Sequence, residues 1–157
     1  MKIETGYLYH IKDDFFSLVN DSKLMANHEY GKKRPTYFTF VEDEILWFVP
    51  LSSKIEKYKK IINNKIEKYG KCNTILIRNI LGKETAILLQ NTFPTLEKYI
   101  DHIHTRKGKP YKVPNDLKDE KLYNFKKMIK LKKKGYNLFL TDIDNILDII
   151  NKQLVTN

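Results

Sequence analysis

The sequence predicts an α+β fold, an antiparallel β-sheet of about five or six strands with helices around it. Three observations carry that expectation. Short aromatic and β-branched runs occur in adjacent pairs, as in "TYFTFV" and "ILWFV". Apolar residues at Ile55, Tyr58, Ile62, Ile66 and Tyr69 step by three and four, the stripe of an amphipathic helix. No glycine-rich loop follows a strand, which argues against P-loop and dinucleotide-binding architectures.

The elements follow in order. "KIETGYLYHI" (2–11) contains an alternating stretch and predicts a strand. Phe15, Phe16, Leu18 and Val19 group at helical spacing and predict a short helix over 13–20. The polar "NDSKLMANHEYGKK" reads as a loop. Strands at 36–41 and 45–49 form a hairpin around "EDE", and Pro50 is expected to end it. The helix from Ile55 stops at Gly70. "CNTILIRNI" and "ETAILLQN", joined by "LGK", predict a second hairpin. "FPTLEKYIDHI" is expected to begin a helix near Pro94 or Thr95, and "HTRKGKPYKVP" to be a basic loop. Asn115 is placed to cap a helix over 116–134 that stops at Gly135. "YNLFL" reads as a short strand. Thr141 and Asp144 then resemble a capping box for a last helix with Ile143, Ile146, Leu147 and Ile150 inward.

Composition places the chain among ordinary folded proteins. Its 157 residues suit a single domain, 1–157, with a real core. Hydrophobic residues make up 41% and charged residues 31%, which disfavours wholesale disorder. The start lacks a signal-peptide apolar core, no run is long enough to span a bilayer, and Cys72 is the lone cysteine. A reduced cytoplasmic protein is the expectation. The charge is more telling. The net charge is +10, and the excess is concentrated in two blocks. Residues 54–83 hold nine basic and two acidic side chains, and residues 105–134 hold twelve and three. Such blocks point to a polyanion partner, against the plainer reading of a solvated lysine-rich surface.

Candidate chemistry gathers at "WFVPLSSK" (47–54). A serine before a helix caps it, and the free N–H groups and dipole there also favour an anion. Ser52 and Ser53 beside Lys54 therefore read either as a plain cap or as a phosphate site. Upstream, "HEYGKKRP" offers Tyr30, Lys32, Lys33 and Arg34, and Pro35 keeps Arg34 extended. In the predicted hairpin the start of the first strand lies beside the end of the second. Arg34 then falls near Pro50–Ser53. His10 ends the first strand, and "HIH" supplies His102 and His104, without the second ligand pair a zinc site wants. The remaining RNA-binding candidates are Lys32, Lys54, Arg78, Arg106, Lys107, Lys109, Lys112, Lys126 and Lys130, with Tyr111 as a base-stacking platform. No cofactor and no metal is called for.

The pieces "LYHIKDDFFSLVND", "YGKKRPTYFTFV", "WFVPLSSKIEKYKKI" and "AILLQNTFPTLEKYI" lie in order over residues 7–112. Together they resemble the endoribonuclease toxins of type III toxin–antitoxin systems, the ToxN/AbiQ family, and most closely its CptN branch. The resemblance implies a twisted sheet of Kid/MazF-like toxin shape. It implies metal-independent cleavage of single-stranded RNA by 2′-OH transesterification. Its partner would be a repeated RNA pseudoknot antitoxin, cut from its precursor by the toxin, that inhibits it in a closed toxin–RNA assembly. No stable protein antitoxin or membrane partner would be involved, and abortive infection by phage is the associated defence. The family's hydroxyl pair falls on Ser52 and Ser53, its essential basic residue on Lys33 or Arg34, and an upstream tyrosine on Tyr30. An N-terminal tyrosine of some members falls near Phe15, which lacks a hydroxyl, leaving His10 or Tyr9 as substitutes. The rival readings are a non-catalytic RNA-binding protein, which would bind RNA and leave it intact, and a basic regulator preferring duplex DNA.

Overall fold

The computed structural model describes residues 3–20, 24, 28–29, 32–33, 37–42 and 44–156. Its strands are β1 (Leu8–Ile11), β2 (His28–Glu29), β3 (Lys32–Lys33), β4 (Tyr37–Glu42), β5 (Ile45–Ser52), β6 (Ile75–Ile80), β7 (Lys83–Leu88), β8 (Phe93–Thr95), β9 (Ile100–Ile103), β10 (Thr105–Arg106) and β11 (Lys109–Pro110). The helices are α1 (Asp13–Val19), α2 (Ile55–Tyr69), α3 (Asn115–Lys133) and α4 (Ile143–Thr156). The architecture is α+β, as the sequence predicts. Seven strands form the main antiparallel sheet, in the order β6-β7-β5-β4-β1-β9, with β8 also on β5. The small ribbons β2–β3 and β10–β11 stand apart from it.

β5 organises this sheet. One edge pairs along its length with β4, from Glu42↔Ile45 to Tyr37↔Pro50. The other edge takes β8 at Leu46–Phe48 and then β7 at Leu51–Ser52. The strand therefore runs through Pro50 instead of ending there. Pro50 sits where this edge changes neighbour, a place where a missing N–H costs little. The β6–β7 and β10–β11 hairpins close on left-handed pairs. Leu81 and Gly82 have φ of 57° and 77°, and Lys107 and Gly108 have 52° and 79°. Positive φ at both positions matches the twist of the flanking strands, and glycine adopts it at no steric cost.

Alternation along the strands divides the core. Leu8, Phe40, Trp47, Val49 and Leu51 face α3, which contributes Leu117, Phe125 and Met128. Phe125 stacks on Phe40 with centroids 5.0 Å apart and meets Trp47 at 5.2 Å. Tyr9, Ile11, Phe15, Phe48 and Phe93 pack with Ile146 and Ile150 of α4. Under α2 lies a smaller cluster of Tyr58, Ile75, Ala86 and Leu88.

Three local expectations are corrected. Residues 93–103 form β8, a single 3-10 turn (Glu97–Tyr99) and β9, in place of a helix. Pairing with β5 and β1, and the β-preference of Phe93, Thr95 and Ile100, override the helical spacing of Leu96, Tyr99 and Ile103. "YNLFL" is irregular, although its Leu140 N–H donates to Gln90 O at 2.7 Å. Thr141 does not cap α4. Its hydroxyl donates to the buried Thr92 carbonyl, and Asp142 Oδ1 instead accepts the Asn145 N–H.

Candidate functional site

Ser52 ends β5 opposite Ala86 and is buried, while Ser53 follows it and is exposed. Ser52 Oγ accepts the Lys54 backbone N–H at 3.2 Å, closing the turn into α2. The cap position falls on Lys54 itself, and no side chain caps α2. The two hydroxyls are thus unlike. Ser52 is occupied by the turn, whereas no hydrogen bond engages Ser53 Oγ among the described residues. Ser53 stands at an open helix N-terminus, where N–H groups and the dipole favour an anion.

The basic block precedes β4 in the chain. Lys33 pairs with His28, and Lys32 with Glu29, in the β2–β3 ribbon. Tyr30 and Arg34 lie outside the described residues. Four residue steps lead from Lys33 to Tyr37, so their Cα atoms are at most about 14 Å apart. Tyr37 is the Cα partner of Pro50, two residues from Ser52. The β4–β5 register thus carries the chain from "KKRP" into the strand beside the serines.

His10 belongs to a different cluster. It pairs across β1–β9 with His102, and their rings stack at 4.2 Å with 15° between planes. Its Nε2 lies 3.0 Å from His104 Nδ1. One of those nitrogens must carry the proton and the other accept it, so each ring fixes the other's tautomer. Burial, and then the charge of His102, hold the His104 pKa below the usual histidine value. The His102 Nδ1 lies 3.3 Å from Asp101 Oδ2. Strand alternation puts His10 on the face of Leu8 and Leu51, and Ser52 on the opposite, α2-covered face with Ala86. β1 and β5 are separated by β4, a lateral distance of about 10 Å. Sequence reasoning had His102 and His104 without a partner. The β1–β9 pairing supplies it as His10. Among the described residues no group of three or more His, Cys, Asp or Glu side chains is placed to hold a metal ion.

The other candidates spread over the surface. Arg78 donates to Glu120 at 2.5 Å. Arg106 and Lys109 face each other across the β10–β11 ribbon, with Lys107 at its tip. Tyr111 is half-buried against the core, and its hydroxyl accepts from Leu81 N–H at 3.4 Å. Lys112 Nζ lies 5.9 Å from the Tyr7 ring centre. Lys126 and Lys130 are exposed on α3. Lys121 was not singled out from sequence, yet it is fully buried on α3 and its pKa is lowered to about 7. Burial is the main cause, with Glu120 opposing it and Arg78 adding to it. The spacing of Leu117, Lys121 and Phe125 is the signal that places it on the inward stripe.

No protein-family model matches the chain, and no curated protein matches it. Among solved structures the chain is similar to AbiQ, a lactococcal anti-phage endoribonuclease belonging to the type-III toxin–antitoxin system. The two share 13% sequence identity at a TM-score of 0.48, over 86% of this chain and 78% of that one. No helix among the described residues is long and apolar enough to cross a membrane.

Proposed function

We propose that this protein is a metal-independent endoribonuclease toxin of the type III kind, acting on single-stranded RNA in the cytoplasm. The observation that supports the reading is the β4–β5 register, which sets Tyr37, at the start of the strand that follows the basic block in sequence, beside Pro50, two residues before Ser52. The motif resemblance in the sequence picks out the same two places.

In this mechanism the ribose 2′-oxygen attacks the adjacent phosphorus. Its proton passes to a base, the P–O5′ bond breaks, and O5′ is protonated as it leaves. The products are a 2′,3′-cyclic phosphate and a 5′-OH. Lys33 and Arg34 stabilise charge on the phosphorane, and Ser53 donates to a non-bridging oxygen alongside the α2 N–H groups. Ser52 holds the turn that presents Ser53, and Tyr30 orients the substrate. His10 belongs to the separate histidine cluster and is left out of this mechanism, and Lys33 beside Arg34 is the candidate for proton transfer. The RNA partner would be a repeated pseudoknot antitoxin that the toxin processes and that inhibits it in a closed assembly, with phage abortive infection the outcome.

Expression of the wild-type chain in cells without an antitoxin tests the reading. Growth arrest is expected from wild type and not from Ser53→Ala or Arg34→Ala. Equal toxicity of all three would overturn the site. Loss of purified activity in EDTA, restored by a divalent ion, would overturn the metal-free mechanism.

A further inference from the structure

Two adjoining cavities lie along α3, away from the serine edge. The first, of about 400 Å³, is lined by Met128, Leu131, Leu138, Tyr69 and three asparagines, Asn73, Asn124 and Asn137, among others. The second, of about 440 Å³, is lined by Tyr123, Lys126, Lys130 and Lys134. They share Lys127 and Leu131 as lining residues, and the pair of adjoining cavities is named the α3 groove. Tyr69 and Tyr123 are 66% and 68% exposed, and Lys68 Nζ lies over one face of the Tyr69 ring at 5.2 Å from its centre. No carboxylate lines either cavity, and among the described residues Lys126, Lys127, Lys130 and Lys134 form no ion pair.

We propose that this groove binds unpaired nucleotides of single-stranded RNA, as a second site beyond the serine edge. The assignment follows from the chemistry of the lining. A nucleobase has two apolar faces and a polar edge. Tyr69 and Tyr123 offer rings to stack on, the Met128, Leu131 and Leu138 side chains accept a base face, and asparagine amides match base edges. Lys126, Lys127, Lys130 and Lys134 recur along α3 at spacings of one, three and four, which lines their charges up along a backbone of phosphates. A duplex presents no free base faces to the tyrosines, so the groove selects single strands.

The site is distinct in position. Tyr69 is the last residue of α2, and Ser53 lies just before its first turn. Fifteen residues of helix put them about 20 Å apart. An RNA strand cut at the serine edge would be held on this groove several nucleotides away, which makes longer substrates bind better than short ones. That consequence rests on the nuclease reading, whereas binding in the groove does not.

The test uses the full chain and a fluorescent 2′-O-methyl RNA of about 12 nucleotides without self-complementarity, which has no 2′-OH to react. The doubly substituted Tyr69→Ala/Tyr123→Ala chain should bind it about tenfold more weakly or worse, at unchanged salt dependence. Tyr69→Phe/Tyr123→Phe keeps the rings and should stay within about twofold of wild type. Lys126→Ala/Lys130→Ala should lower the slope of log Kd against log salt by about 1.4. Alanine variants that bind like wild type, or a duplex of the same sequence bound as tightly, would overturn the proposal. Cleavage of unmodified RNA is measured in parallel. Uncut RNA with intact groove binding defeats only the nuclease reading. Cut RNA with tyrosine-independent binding defeats only the groove.

Discussion

Replacing Lys121 by methionine should remove most of the rise in stability with pH between 7 and 9. Lys121 is fully buried on the stripe of Leu117, Phe125 and Met128, and its pKa falls from 10.5 to about 7 on folding. The unfolded chain keeps this proton up to about pH 10.5, whereas the folded protein has released half of it by pH 7. Between those values the unfolded state binds more protons, so stability rises with pH across that window. Integrated from pH 7 to 9, the proton difference amounts to about 2 kcal/mol. Urea unfolding at both pH values reads it as a midpoint shift of about 1 M for a typical denaturant slope. Methionine at position 121 has no proton to exchange, so the variant's midpoint should move far less. An equal pH shift in wild type and Lys121→Met would show that Lys121 is not the group releasing its proton on folding.

Other outcomes follow from the same structure. Ser53→Ala should change unfolding free energy by less than about 0.5 kcal/mol, because no described hydrogen bond engages its hydroxyl. The same change should cut RNA turnover by about a hundredfold or more if Ser53 donates to the phosphorane. Phe125→Ala should cost about 3–5 kcal/mol in a urea titration, through the lost ring between Phe40 and Trp47. His104 has a depressed folded pKa, so stability should fall as pH drops through the ordinary histidine value near 6.5. Comparing His104→Asn with wild type at pH 7 and 5 reads that contribution, and an unchanged pH difference would count against it.

What was legible in the sequence was mostly local. The β4–β5 hairpin, the α2 stripe ending at Gly70 and the β6–β7 hairpin each carry their own period or turn residues, and those elements formed. Residues 93–103 were misread because Leu96, Tyr99 and Ile103 fit a helical period. Their state is set by distant partners, β5 and β1, that a local pattern does not name. Pro50 was misread for a related reason, since whether a proline ends a strand depends on what lies opposite its nitrogen. At the candidate site, the sequence set Ser52 as the cap and Ser53 as the residue to mutate first, whereas in the structure no side chain caps α2 and Ser52 Oγ instead holds the turn before it. The turn bond from Lys54 N–H to Ser52 Oγ is a three-residue geometry that leaves Ser53 exposed. The histidine cluster joins residues more than ninety positions apart, and only the β1–β9 register reveals it.

On the proposed function, the serine edge cuts RNA without a metal. Incubating the purified chain with single-stranded RNA in EDTA, and determining the chemistry of the new ends, tests it most directly. The account predicts 2′,3′-cyclic phosphate and 5′-OH ends from the wild-type chain, and intact RNA from Ser53→Ala and Arg34→Ala. RNA left whole by the wild type, 5′-phosphate ends, or full cutting by Ser53→Ala would contradict it.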